Sequence, residues 1–165
     1  MPPISPRPPL AIVIVTHVFL GALFVIGALA LLLLPRVAAI GAESAPEYAR
    51  ITPALLALSI TFTLLAMATL VILALLVARI FRGTVLTRSS LGWVDAIIVA
   101  VATGAAIVLA TMLVITSAGV GNAPIFALFQ ITAMLALAAL AGIGLVLRSL
   151  LRHAIFLRAE LDEVV

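Results

Sequence analysis

His17, Asp95 and Gln130 are strongly polar side chains inside long apolar stretches of this chain. Polar groups are costly in hydrocarbon, so each is a candidate for chemistry rather than packing. An imidazole and a carboxylate at similar depth could pass a proton along a hydrogen bond, and Gln130 could extend that path. His17 lies roughly 10 Å into its apolar run by helical rise, and Asp95 opens its own run near the same edge. Gly21 and Ala28 share a helical face with His17, which points the imidazole toward a neighbouring helix. A His17–Asp95 hydrogen bond is one expectation. The favoured one is plainer: a histidine satisfied by backbone or hydroxyl, and an aspartate near the positive end of a helix dipole.

Hydroxyl groups offer less. Ser59, Thr61, Thr63 and Thr69 can bond their own backbone carbonyls, whereas Thr111, Thr116 and Ser117 suit bonds between helices. The chain has no cysteine, which excludes thiol catalysis, thiolate metal sites and disulfides. No glycine-rich phosphate loop, His/Glu metal cluster or nucleophile–base motif is present. His17 and His153 are too far apart in topology to share a metal. No catalytic residue, cofactor or metal site is therefore expected, and the chain reads as a non-enzyme.

These residues are positioned by four apolar runs, residues 10–34, 53–80, 93–118 and 124–147. Each reaches the ~20 residues that a helix needs to cross a hydrocarbon layer of ~30 Å. A composition 66% hydrophobic, with mean hydropathy +1.45, agrees. The fold expected is an all-α integral membrane four-helix bundle in a single domain of 165 residues. The first run follows Arg7 and contains Ala28-Leu29-Ala30, like a cleavage site. It is nevertheless too long for a signal-peptide core of roughly 7–15 residues, so a retained helix is expected. The prolines at positions 2, 3, 6, 8 and 9 make its lead-in extended.

Charge sets the orientation. All nine basic residues are arginines. Arg7, Arg79, Arg82, Arg88, Arg148, Arg152 and Arg158 fall on one side of the alternating runs, and Arg36 and Arg50 on the other. The excess of basic residues expected in cytoplasmic loops puts both termini on the cytoplasmic side of a cell (inner) membrane.

The breaks carry local signals. Pro35 is expected to end the first helix. Ser44 and Glu47 fit a capping box for a short surface helix over 45–51, with Glu47 and Arg50 paired and Tyr48 at headgroup level. Between runs two and three, Gly83 breaks the helix, Ser89 and Ser90 can cap the next, and Phe81 and Trp93 flank the interface. Gly119, Gly121 and Asn122 suit a tight turn before Pro124, making runs three and four an antiparallel hairpin. Two small-residue stripes, Gly92, Ala96, Ala100 and Gly104 in run three and Ala138 and Gly142 in run four, would allow close helix approach.

Beyond residue 147 the helical pattern continues, so the fourth helix is expected to extend into the cytoplasm as an amphipathic tail, 148–165. Leu147, Leu150, Ala154, Leu157 and Leu161 form its apolar face. Arg148, Arg152, His153, Glu160 and Glu163 form the other, with Arg158 and Asp162 spaced for an ion pair. That uncovered stripe beside basic charge is the expected docking surface: Arg79, Arg82, Arg88, Arg152, Arg158, Leu157 and Leu161.

The loop reads Arg82-Gly83-Thr84-Val85-Leu86-Thr87, and the tail reads Leu157-Arg158-Ala159-Glu160-Leu161-Asp162-Glu163-Val164-Val165. In these segments the chain resembles the bacterial membrane family called domain of unknown function 2975. Members of that family pair four spans with a loop Arg-Gly-x-[Val/Ile]-[Phe/Leu]-[Ser/Thr] and a tail Leu-Arg-Glu-Glu-Asn-Asp-Leu-Thr-[Val/Ile]. Leu157, Arg158, Glu160, Asp162 and Val165 match the tail; Ala159, Leu161, Glu163 and Val164 depart from it. The resemblance implies no catalytic residues. It does imply a genetic neighbourhood, since such genes often sit beside one for a small helix-turn-helix regulator of the Cro/C1 type.

The leading expectation is thus a membrane-bound interaction or regulatory partner of such a regulator, with homo-oligomers allowed and no direct nucleic-acid binding. The alternatives are a small transporter or channel module lined by His17, Asp95 and Gln130, and an immunity protein that meets a membrane-active toxin through loop 36–52.

Overall fold

The computed structural model describes residues 10–81, 88–121 and 123–163. Four helices follow one another: α1 (Leu10–Ser44), α2 (Thr52–Phe81), α3 (Arg88–Ser117) and α4 (Pro124–Glu163), with a 3-10 turn at Pro46–Tyr48. All four contain stretches long and apolar enough to cross a membrane. Large apolar side chains cover their outer surfaces, the arrangement expected where the solvent is hydrocarbon.

Each helix packs chiefly on its neighbour in sequence: α1 on α2, α2 on α3, α3 on α4. α2 and α3 are consequently the inner helices, and α3 carries most of the core. Val94 is 3% exposed and Ile115 6%, and Val101 and Gly104 are buried between them. α1 and α4 flank the assembly, and no further pair of these four helices makes more than slight contact among the described residues.

Close approaches are made at glycine. A Cβ on Gly27 would stand 3.0 Å from Met67 Cγ, marking the α1–α2 crossing; one on Gly144 would stand 3.0 Å from Ile98 Cγ1, marking the α3–α4 crossing. Gly104 faces Phe62 and Leu137 at ordinary contact distance, so the run-three stripe turns inward there. The stripe expected in α4 does not. Ala138 and Gly142 are exposed, and nothing approaches a Cβ built on Gly142. Leu137, Ala141, Gly144, Arg148 and Leu151 form the inward face instead. Gly21 and Gly92 also look onto open space.

Several expected boundaries shift. Pro35 lies inside α1, which continues for nine more residues to Ser44. The proline removes one bond, to the Leu31 carbonyl, and the rest of a 35-residue ladder holds. Arg36 and Glu43 are therefore helical rather than in a loop. Ser44 is no N-cap: its Oγ donates back to Ile40 O at 2.8 Å. Ala45 precedes the 3-10 turn without a side-chain cap. The short helix expected over 45–51 is only that turn, and Glu47 and Arg50 form no ion pair among the described residues. α3 begins at Arg88, which places Ser89 and Ser90 inside the helix. One boundary does not shift: residues 148–163 continue α4 without a break, as expected of a fourth helix that runs on past its span, and bring it to 40 residues.

Two connectors meet at one end of the molecule. Tyr48 Oη donates to Gly121 O at 2.6 Å and ties the α1–α2 connector to the α3–α4 turn. Gly119 takes φ +69, which only a residue without Cβ adopts without strain. Pro124 opens α4, whose first turn is anchored by Phe126 N–H and Ala127 N–H on Ala123 O. With both connectors at the Tyr48 end, the helices alternate in direction. The start of α1 and the end of α4 therefore lie at the opposite end, beside Arg79.

Candidate functional site

At the Arg79 end, α3 is held from both sides by arginines. Trp93 and Asp95 are two residues apart and so project to nearly opposite sides of the helix. Arg79, near the end of α2, places its guanidinium carbon 5.2 Å from the centroid of the Trp93 ring, a cation–π contact. Arg148 of α4 reaches Asp95 on the other side. Its Nε stands 2.6 Å from Oδ1, and Nη2 donates to Oδ2 at 3.2 Å. The Nε–H is not aligned on Oδ1, so that contact is ionic in character while the Nη2 bond carries the direction. The Asp95 and Arg148 side chains are 44% and 34% exposed, which places the pair at an edge rather than in the core.

Asp95 is thus engaged by Arg148, and His17 is satisfied elsewhere: its Nδ1 donates to Val13 O at 2.9 Å, within its own helix. The His17–Asp95 hydrogen bond is not formed. Gln130 is half-buried near the Tyr48 end, on the same inward face of α4 as Leu137 and Gly144 but far along the helix from Arg148. The three intramembrane polar residues are not brought together. Their role as a path would need other groups between them.

The hydroxyls also turn inward upon their own helices. Thr61, Thr63 and Thr69 donate to carbonyls four residues back, as expected. So do Thr111 and Thr116, and Ser117 donates to Val114 O, where bonds between helices had been expected. An i−4 carbonyl is always within reach, and using it leaves no donor stranded in hydrocarbon.

Of the expected docking residues, Arg79 is half-buried against Trp93 and Arg152 is exposed. The backbones of Arg88, Leu157, Leu161 and Arg158 are helical, but their side chains lie outside the described residues. Arg82, the loop segment 82–87 and Asn122 lie outside them altogether, as do residues 1–9 and 164–165. Leu147 and Leu150 are exposed, so the start of the apolar stripe on α4 is uncovered. Arg148 leaves the polar face assigned to it and belongs to the α3–α4 contact. No group of three or more potential metal ligands occurs among the described residues.

No curated protein and no solved structure matches the chain. A family model described as "Protein of unknown function (DUF2975)" matches residues 36–165, which takes in the last turns of α1 and all of α2, α3 and α4. The chain is a multi-pass membrane protein and belongs to the DUF2975 family.

Proposed function

We propose that this protein is a non-enzymatic membrane anchor for a small helix-turn-helix regulator, oriented with both termini in the cytoplasm. The observation that carries the reading is the unbroken course of α4 to Glu163, past the Arg148–Asp95 contact, with Leu150 63% exposed and Arg152 exposed beside it. A helix that runs on past the contact with α3 with one apolar face and one charged face suits an amphipathic helix-to-protein contact. The arginine excess at that end supports a cytoplasmic placement. The choice of a regulator rests on the genetic neighbourhood that the family resemblance implies. Binding would lower the free concentration of the DNA-binding protein by mass action.

The test is co-purification of the helix-turn-helix protein encoded beside this gene with the full chain, after crosslinking in membranes. A chain truncated after His153 keeps the Arg148–Asp95 contact and serves as the comparison. The regulator is expected to follow the full chain and to be lost from the truncated one. A regulator that stays soluble beside the full chain, or that binds both forms equally, would overturn the reading.

A further inference from the structure

Between the four helices, at mid-height, lies an apolar cavity of about 400 Å³. Its walls include Gly27 of α1, Met67 of α2, Val101 and Gly104 of α3, and Leu137 and Leu140 of α4. The volume exists because residues without bulk face inward where α1 and α4 stand apart. Its only polar side chains, Thr63 and Thr69, already donate their hydroxyl protons to Ser59 O and Leu65 O. A water molecule needs two to four polar partners to be held, and these walls do not supply them.

The cavity is not sealed. α1 and α4 both line it yet make no more than slight contact with each other. Leu23 on α1 and Leu140 on α4 are exposed at its rim. The gap between those helices opens at mid-span, where the surroundings are the hydrocarbon interior of the bilayer rather than headgroups. A methylene is close in size to a water molecule, whose share of the liquid is about 30 Å³, so the space takes roughly a dozen methylenes. Leaving it empty would forfeit the dispersion contacts of every wall atom.

We propose that the cavity is a binding site for the distal part of a phospholipid acyl chain, which enters sideways between α1 and α4. The occupant is a component of the protein's packing: it bridges α1 to α4, which the protein's own side chains leave apart. This inference is independent of any regulator bound at the Arg79 end.

The experiment uses the full chain in phosphatidylcholine vesicles containing a phospholipid with a photoreactive diazirine near the end of one acyl chain. Adducts are mapped by mass spectrometry. Labelling is expected on Val101 and Gly104, which an annular lipid outside the bundle cannot reach, as well as on the outward Leu32 and Phe129. Ala100 is also a wall residue, and Ala100→Phe, which puts a phenyl ring into the space and obstructs an acyl chain there, is expected to lower the inner adducts several-fold and leave those on Leu32 and Phe129 unchanged. Adducts confined to the outer surface would overturn the proposal, and so would inner adducts indifferent to Ala100→Phe. Inner labelling by a headgroup-borne diazirine, or rim crosslinks between two copies of the chain, would likewise overturn it by naming another occupant. Should Ala100→Phe fail to fold, the wild-type adduct map alone decides.

Discussion

Asp95 of α3 and Arg148 of α4, 53 residues apart in sequence, meet through a 2.6 Å ionic contact and a 3.2 Å hydrogen bond at the edge of the bundle. The contact fixes how far α4 can slide along α3. Both partners are more than a third exposed, so the energy is that of a screened pair, not of a buried one. Asp95→Asn combined with Arg148→Gln in a double-mutant cycle is expected to give a coupling of about 0.2–1 kcal/mol in thermal unfolding. A coupling indistinguishable from zero would show that the two side chains merely lie near each other.

That pair also shows where sequence reasoning ran short. The four spans were legible because the length of an apolar run reports directly on hydrocarbon thickness. Which face of each helix turns inward was not. A helix that is apolar all round has no moment to fix its phase, and spacing alone put Ala138 and Gly142 where Gly144 belongs. Arg148 was assigned to a solvated tail because hydropathy falls there. A better signal was available: Asp95 and Arg148 sit at nearly equal distances from the tight turn that joins their antiparallel helices. Pro35 misled for a different reason, since a drop in hydropathy at Arg36 and a lost hydrogen bond coincide there without ending the helix.

The glycines separate the two descriptions of α4. Gly144→Leu should drive its side chain into Ile98 on α3, and Gly27→Leu should do the same to Met67 on α2. Each is expected to lower stability by about 1–3 kcal/mol, the usual cost of overpacking. Gly142→Leu points into open space and should be tolerated. Melting of the purified protein in detergent decides, and equal losses at Gly142 and Gly144 would contradict an inward face of α4 that runs through Gly144.

Tyr48→Phe keeps the ring and removes only the hydroxyl bonded to Gly121 O. A loss of about 0.5–1.5 kcal/mol is expected, the ordinary net worth of one such bond. Because the bond joins two connectors, the effect should be local as well as global. Hydrogen exchange is expected to quicken at Ala45 and Ala49, which flank the 3-10 turn, and at Gly119, while amides in the middle of α3 stay protected. Uniform acceleration along all helices would mean that Tyr48 acts on the whole bundle rather than on the Tyr48 end.

Pro35→Ala asks whether the proline in α1 is only tolerated. In a helix interior proline costs about 3 kcal/mol relative to alanine, because a hydrogen bond is lost and the ring crowds the carbonyl four residues back. Here that carbonyl belongs to Leu31. Restoring the N–H should therefore raise the melting temperature without changing the helical signal in circular dichroism, since α1 already runs through the site to Ser44. A large gain in helical signal would place the end of α1 at Pro35 in the wild type. It would also remove the reason for treating residues 36–44 as part of that helix.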